Sequence, residues 1–268
     1  MPDLHSQHSA VLPEKWGKKM NKLYDKEIGY SPLEYVDLGK MRNVIRICKV
    51  IVEAHHRIQS GDKILVAGAG EGTEAALLAE EYGTFTVGVD LNIRFSEVFR
   101  NHEALALLRQ DLTSLGFQDD SFSLIYSYHV LEHIDDPVAA LNELSRVLKP
   151  DGLLFIGFPN KNRLISYIGT SQKVSLLNRV LWNLNDIRHR LTGRFENKYG
   201  AHAGFTEKEF IKSATRAFRC VIPVRNQYML QKYGRYAKFI QLMITTHFSE
   251  FLFPSNYFIC KKAFQDQA

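Results

Sequence analysis

The sequence predicts an α/β protein with a doubly wound, Rossmann-like sheet, and three observations lead to this prediction. A short apolar run at 64–67 has the composition of a buried strand, and the glycine-rich turn 68–72 follows it directly. Residues 73–82 then have helical spacing and are rich in Ala, Leu and Glu. Strand and helix patterns continue to alternate, which is typical of a parallel sheet covered by helices on both faces.

The other elements are predicted by apolar periodicity and by helix-start signals. Pro32 after Ser31 and Pro137 suit the first helical position, and Thr206 with Glu209 has the form of a capping box. Further helices are predicted at 44–58, 93–101, 137–148, 206–218 and 235–248. Further strands are predicted at 85–90, 104–110, 122–127, 153–158, 220–224 and 256–261, with a turn at 149–152.

The pattern of elements divides the chain of 268 residues into a core and two additions. Residues 1–60 are predicted to form an N-terminal arm with helices. Residues 61–160 and 204–268 are predicted to form the sheet-containing core. The segment 161–203 is polar, basic and aromatic without a strand pattern, so we expect an insertion there.

Composition excludes several classes of protein and indicates a compartment. The three cysteines are far apart in the sequence and odd in number, which argues against a disulfide framework or a zinc motif. The net charge of +5 permits an acidic partner without requiring one. Because the sequence contains no apolar leader and no run long enough to span a membrane, we expect a cytoplasmic protein.

The glycine turn indicates which kind of cofactor it holds. A dinucleotide site places glycines at the first, third and sixth positions of the turn, whereas here the sixth position is Thr73 and the third glycine is Gly72. Asp90 lies about 20 residues further on at a strand end, where a carboxylate can accept from ribose hydroxyls. Ribose recognition without a pyrophosphate turn favours a mononucleoside cofactor over a nicotinamide dinucleotide.

Five segments in this order make the chain resemble class I S-adenosylmethionine-dependent methyltransferases, in the group that includes the ubiquinone-biosynthesis enzymes. The segments are VAGAGEG at 66–72, VGVD at 87–90, RQDL at 109–112, FSLIYSYHVLEHIDDP at 122–137 and LNELSRVLKPDGLLFIGFPN at 141–160. The resemblance covers about residues 60–160 well and 204–268 weakly. It implies a seven-stranded sheet whose last strand runs antiparallel, and S-adenosyl-L-methionine as the cofactor.

The resemblance also implies a set of cofactor-binding positions. They are Gly68, Ala69, Gly70, Gly72, Asp90, Leu91, Asp111, Leu112, Ser127 and Tyr128. In this set Asp90 would hold the ribose, Leu91 would lie against the adenine, Asp111 would accept from the adenine amino group, and Leu112 would offer its backbone donor. The sequence departs from the family at Val66, where an acidic residue is frequent and steadies the loop or meets the amino group of the cofactor.

Three histidines are candidates for a general base, because imidazole titrates near working pH. They are His129, His133 and His202. His129, Glu132 and His133 also have a spacing that is similar to a metal site in some relatives, but a set with one carboxylate suits magnesium poorly. A purely structural role for these residues is a third alternative, and no metal is predicted.

The acceptor is predicted to be a small molecule or one linked to a lipid or a glycan, methylated at oxygen rather than at carbon or nitrogen. The insertion has the composition of a lid over this acceptor; its aromatic and basic residues are Tyr167, Trp182, Arg188, Arg190, Arg194 and Tyr199. A solvated basic surface is the alternative. We expect no nucleic acid, because 127–130 lacks the Asn/Asp-Pro-Pro-Tyr-like motif of enzymes that grip a flipped base.

Two alternatives concern the helix predicted at 235–248, which has aromatic residues on one face and basic flanks. This helix can pack against the core or contact a membrane surface as a peripheral element. The alternative to an enzyme is a non-catalytic methyltransferase-like protein with a binding or assembly role, in which the same face docks a partner.

Overall fold

A seven-stranded mixed sheet with helices on both faces forms the centre of the computed structural model. The structure describes residues 38–92, 102–164 and 204–262, together with Leu181, Leu184, Arg188 and Thr192. The helix predicted at 93–101, the helix start at Ser31 and most of the insertion lie outside the described residues.

The strands are β1 (Lys63–Ala67), β2 (Phe85–Asp90), β3 (Leu105–Arg109), β4 (Phe122–Tyr128), β5 (Leu148–Pro159), β6 (Cys220–Pro223) and β7 (Ser255–Lys261). Their order across the sheet is β3-β2-β1-β4-β5-β7-β6. The first five strands are parallel, and β7 runs antiparallel to both β5 and β6. The predicted fold class and the antiparallel last strand are therefore confirmed.

The register brings the strand ends that matter for function to one edge. Ala67, the last residue of β1, pairs with Val89 of β2 on one side and with Ser127 of β4 on the other. Because parallel strands share a direction, the turns that follow β1, β2 and β4 leave the sheet side by side.

The helices are α1 (Leu38–Glu53), α2 (Thr73–Tyr82), α3 (Pro137–Val147), α4 (Glu207–Ala214), α5 (Arg225–Lys232), α6 (Ala237–Thr245) and α7 (Ser249–Leu252). Apolar residues of α1, α2, α5 and α6 cover one face of the sheet. Apolar residues of α3 and α4 cover the other face. Asp136 caps α3 and Thr206 forms the expected capping box of α4.

Two predicted boundaries were wrong. The first helix ends at Glu53, five residues before the predicted end, and it begins at Leu38. The predicted turn 149–152 is part of β5, because the register shifts between the pairs Phe122–Leu148 and Leu124–Leu153. The four residues lie opposite Ser123 alone, so the sheet absorbs Pro150 and Gly152 in a bulge.

The C-terminal helix prediction was also partly wrong. The helix α5 was not predicted, and 235–248 is divided between a 3₁₀ turn at Gly234–Tyr236 and α6. His247, with φ of 61°, takes a left-handed conformation between α6 and α7.

The predicted single face of 235–248 is split between core and solvent. Ile240 and Met243 are buried on the sheet side. Five other apolar side chains of this region are 41–59% exposed, and we call them the exposed apolar surface: Tyr236, Phe239, Leu242, Phe248 and Phe251. Arg235 and Lys238 are exposed beside them.

Two buried asparagines join the chain where the insertion leaves and rejoins the core. The Asn160 side chain donates to the carbonyls of Glu250 (2.7 Å) and Phe253 (3.0 Å). The Asn256 side chain donates to the Phe205 carbonyl at 3.1 Å. A Cβ on Gly204, whose φ is 63°, would lie 1.8 Å from the Pro159 carbonyl oxygen, so only glycine fits there. Both ends of the insertion are thus fixed at the end of β5.

Within the described ranges, none of the helices is long and apolar enough to cross a membrane.

Candidate functional site

The glycine turn between β1 and α2 is held against β2 by its own amides. The N–H groups of Gly68 and Ala69 both donate to the Val89 carbonyl at 2.8 Å, and Gly72 N–H donates to the Ala69 carbonyl at 2.8 Å. Gly68, Gly70 and Gly72 have φ values of 79°, 52° and 97°. This left-handed backbone suits glycine, because no Cβ interferes.

Gly68 and Gly70 differ in what surrounds them. A Cβ on Gly68 would lie 2.2 Å from Val130 Cγ2, so this glycine permits the close approach of the loop that follows β4. A Cβ on Gly70 would meet nothing within 4 Å. The turn therefore offers open space at Gly70, and this space is where a bound molecule can approach the backbone.

Asp90, at the end of β2, connects the glycine turn to the next loop. Its Oδ2 accepts from Gly70 N–H at 2.9 Å and its Oδ1 accepts from Asn92 N–H at 2.9 Å. Each carboxylate oxygen retains a further lone pair that can accept from a ligand hydroxyl. Leu91, beside it, is 56% exposed, and this apolar surface suits the flat face of a base.

The loop after β3 is fastened to the loop after β2. Gln110 N–H donates to the Asp90 carbonyl at 3.1 Å, and Arg109 Nε donates to the Leu91 carbonyl at 3.0 Å. Asp111 Oδ1 accepts from Thr113 N–H and Oγ1–H at 2.9 and 2.8 Å, and these bonds lower the pKa of the Asp111 carboxyl. Leu112 buries its side chain in the core, which leaves only its backbone for a ligand.

The end of β4 contributes Ser127, Tyr128 and His129. Ser127 is buried and Tyr128 is partly exposed. His129 has φ of 56° and donates its N–H to the Gly157 carbonyl at 2.8 Å. Non-glycine residues in this region are uncommon and are enriched at functional sites. The conformation directs the chain from the sheet into the loop that packs on Gly68.

The three histidine candidates have different positions. His129 Nδ1 lies 3.3 Å from Glu132 Oε1, and its side chain is 35% exposed while that of Glu132 is fully buried. Glu132 Oε2 has no hydrogen-bond partner within the described ranges. His133 is exposed, and His202 lies outside the described residues. His129 therefore has a carboxylate that can orient its imidazole.

No group of three metal-ligating side chains is found among 38–92, 102–164 and 204–262. His129 and Glu132 form a pair at this place.

Sequence reasoning missed Glu74, the second residue of α2. Its Oε1 accepts from Tyr126 O–H at 3.3 Å. Burial raises the pKa of the Glu74 carboxyl to about 7, and the hydrogen bond from Tyr126 offsets part of this rise. The signal in the sequence is the spacing of Glu74, Leu77 and Leu78, which puts the acid on the buried face of its helix.

Glu74 borders a cluster of buried tyrosines on one face of the sheet. Tyr128 and Tyr257 bring their hydroxyls within 3.4 Å of each other, and the Tyr228 and Tyr257 rings stack with centroids 3.8 Å apart. Burial raises the pKa of the Tyr126 and Tyr128 hydroxyls well above the ordinary value for tyrosine. These hydroxyls therefore stay protonated at physiological pH and can donate hydrogen bonds.

Two solved structures have a similar fold. A Galdieria sulphuraria protein, provisionally assigned as a sarcosine dimethylglycine methyltransferase, is similar with a TM-score of 0.54, 13% identity and coverage of 93% of this chain and 98% of that chain. A Haemonchus contortus phosphoethanolamine N-methyltransferase 2 in complex with S-adenosyl-L-methionine is similar with a TM-score of 0.51, 15% identity and coverage of 91% and 60%. At such identities the likeness concerns the fold alone.

The family comparison agrees with the fold. Residues 65–156 match the family described as Methyltransferase domain, so this segment is a methyltransferase domain, and the resemblance seen in the sequence is confirmed. A ubiquinone biosynthesis O-methyltransferase of Neisseria meningitidis is 28% identical over 116 residues, which are 40% of this chain and 48% of the relative. A demethylmenaquinone methyltransferase of Clavibacter sepedonicus is 37% identical over 101 residues, 36% and 41% of the two chains. The chain thus spans less than half the length of these relatives.

The raised pKa of Glu74 has a consequence for stability. Because this pKa is 4.5 in the unfolded chain and about 7 in the folded protein, folding favours the protonated carboxyl. The stabilisation from this group is complete below pH 4.5 and is lost as pH rises through 7. We expect Glu74→Gln, which keeps the acceptor for Tyr126, to exceed the wild type in unfolding free energy at pH 8 by about 3 kcal/mol.

Urea unfolding at pH 5 and pH 8 measures this difference. At pH 5 the expected difference falls to about 1 kcal/mol or less. Glu103→Gln, at an exposed position, is the control and is expected to match the wild type at both pH values. An unfolding free energy of Glu74→Gln that follows the wild type at both pH values would contradict the raised pKa.

Proposed function

We propose that the protein binds S-adenosyl-L-methionine at the glycine turn and transfers its methyl group to an oxygen of a small or lipid-linked acceptor. The observation that carries this proposal is the hydrogen bond from Gly70 N–H to Asp90 Oδ2, which joins an open glycine turn to a strand-end carboxylate. This pairing suits a ligand that has a ribose next to a chain that crosses the turn.

The residues of the site fit the parts of this cofactor. Asp90 retains acceptor capacity for two ribose hydroxyls. The exposed Leu91 and the carboxylate of Asp111 suit the face and the amino group of an adenine. The open side of Gly70 leaves room for the remainder of the molecule. The same positions are those that the resemblance implies.

Methyl transfer requires the protein mainly to orient the acceptor and the cofactor and to supply a base. When bound, S-adenosylmethionine supplies a methyl group already activated by a sulfonium. The protein holds the acceptor in line with this methyl group and excludes water. His129 accepts the proton of the acceptor hydroxyl, and Glu132 orients the imidazole through Nδ1. Charge on the imidazolium is then balanced by the buried Glu132 carboxylate.

The acceptor is assigned by class. A histidine base is needed when the nucleophile carries a hydroxyl proton, which favours oxygen over carbon. The names of the two relatives refer to ubiquinone and demethylmenaquinone, and this supports a lipid-linked acceptor. In this proposal 61–160 and 204–268 form the cofactor-binding core, 1–60 is an N-terminal addition, and the insertion 161–203 covers the acceptor.

Replacement of Asp90 tests the cofactor site. We expect the wild type to bind S-adenosylhomocysteine at micromolar concentration, and Asp90→Ala to bind at least tenfold more weakly, because it loses the ribose acceptors and the anchor of the turn. Isothermal titration calorimetry measures both affinities. Asp135→Ala, which removes an exposed acid, is the control with unchanged affinity. A wild type that does not bind S-adenosylhomocysteine would refute the proposal.

Replacement of His129 tests the base. His129→Asn removes the imidazole but keeps a residue that tolerates left-handed backbone. We expect transfer of labelled methyl from S-adenosylmethionine to an acceptor extract to fall about 100-fold or more, with S-adenosylhomocysteine affinity changed less than about twofold. His133→Ala and His202→Ala should retain most of the rate. If His202→Ala alone abolishes transfer, the base is His202 instead.

The alternative of a non-catalytic binding or assembly protein rests on the exposed apolar surface. A wild type that binds S-adenosylhomocysteine and transfers no label to any extract would favour it over the enzyme.

The same surface supports peripheral membrane contact, since aromatic side chains with exposed Arg235 and Lys238 beside them suit an anionic interface. We expect the protein to float with vesicles that contain phosphatidylserine and less with pure phosphatidylcholine. Phe239→Ser with Leu242→Ser should abolish flotation. Val50→Ser, at an exposed apolar position on α1, is the matched control. Equal flotation of both variants would contradict a membrane role for this surface.

A further inference from the structure

Glu74 is a carboxyl group without a cation. No Lys, Arg or His within the described ranges forms an ion pair with it, and its one described hydrogen bond comes from Tyr126. An ionisable group kept in such surroundings costs stability unless something compensates its charge. When ionised, this carboxyl therefore has no compensating cation among the residues that the structure describes.

The groups near Glu74 include a thiol and several phenols, with one lysine behind them. Cys48 of α1 is buried and its pKa is raised by burial and by Glu74. Tyr126 and Tyr128 of β4 have pKa values raised by burial and further by Glu74. Tyr228 of α5 and Tyr257 of β7 lie behind Tyr128. Lys232 of α5 lies over the Tyr228 ring at 5.5 Å, and the pKa of Lys232 is lowered by burial alone.

The carboxyl also lies next to the glycine turn. Glu74 is in the first turn of α2, two residues after Gly72, and protein atoms surround it although part of its surface is accessible. Tyr128, on the same strand face as Tyr126, is partly accessible too. Accessible surface of Glu74 and Tyr128 therefore lies near the ends of β1 and β4, where the glycine turn begins.

The sheet register shows which strand residues lie near Glu74. Tyr126 pairs with Val66 of β1, one residue before the end of the strand, and both belong to the same apolar cluster. Val66 offers only methyl groups to this cluster, whereas Glu74 places a carboxyl beside Tyr126.

We propose that Glu74 is the residue that binds the ammonium group of the methionine part of the cofactor. This inference rests on the proposed function, since it assigns a partner to one end of the same ligand. An ammonium group has three donors and one positive charge, and a carboxylate held by Tyr126 through one oxygen offers its other oxygen. The neutral aromatic surroundings strengthen the attraction, because they exclude water.

The proposal makes cofactor affinity depend on pH in a defined direction. A carboxyl with a pKa of about 7 is about one-tenth ionised at pH 6 and nine-tenths ionised at pH 8. The ammonium group binds the ionised form, so the affinity of the wild type for S-adenosylhomocysteine should rise about tenfold between these pH values. Any other pH-dependent contribution to affinity is common to the wild type and to Glu74→Gln, so it cancels in a comparison of the two proteins.

The experiment compares two ligands by calorimetry at pH 6 and pH 8. S-adenosylhomocysteine carries the ammonium group, and 5′-methylthioadenosine has the same nucleoside without it. We expect Glu74→Gln to weaken S-adenosylhomocysteine binding about tenfold at pH 8 and to remove the extra pH dependence of the wild type. Binding of methylthioadenosine should be equal in both proteins at both pH values. Glu103→Gln should behave as the wild type with both ligands.

The results described next would overturn the inference. The use of two ligands distinguishes a failure of the Glu74 assignment from a failure of the proposed function. If the wild type and Glu74→Gln bind S-adenosylhomocysteine with the same affinity and pH dependence, Glu74 does not hold the ammonium group, while the cofactor site stands. An affinity of the wild type that falls as pH rises would show that Glu74 meets an anionic group instead. If neither ligand binds the wild type, the cofactor proposal fails and this assignment fails with it. Because the wild type alone can be compared with the two ligands, this part of the test does not depend on the folding of a variant.

Discussion

The hydrogen bond between Gly70 N–H and the Asp90 carboxylate is the contact on which the candidate site depends. It joins residues 20 positions apart, and it forms because β1 and β2 are adjacent and parallel, so that their ends leave the sheet together. The same carboxylate also accepts from Asn92 N–H. One charged side chain thus fixes the shape of two loops while it keeps lone pairs for a ligand.

Several features of the site are unfavourable for the free energy of folding, and the rest of the fold must offset them. Three glycines and His129 have left-handed backbone, Glu132 has a buried oxygen without a described partner, and Glu74 is a carboxyl among apolar and aromatic groups. Each feature is unfavourable by itself. The two apolar clusters that cover the sheet supply the compensating burial. Such features concentrate at functional sites because binding needs groups that the fold leaves unsatisfied.

Much of the core was predictable because its signals are local. The strands 64–67 and 85–90 are apolar runs, and the glycines mark the turn. Thr206 with Glu209 predicts the start of a helix. The errors occur where the sheet overrides local preference. Pro150 and Gly152 indicate a turn, but β4 pairs with β5 on both sides of them, at Leu148 and from Leu153 onward. The helix α5 was missed because its apolar residues are few and Tyr228 packs on β7.

The sequence by itself determined the order of the elements, the glycine turn and the strand-end acids, because spacing along the chain suffices to define them. The tertiary structure decided the partners: which loop Gly68 meets, which carboxylate orients His129, and which side chain lies opposite Val66. It also decided that Phe239 and Leu242 face solvent while Ile240 and Met243 face the core. These facts depend on contacts between residues far apart in the chain, and the charge state of Glu74 depends on burial that no local pattern contains.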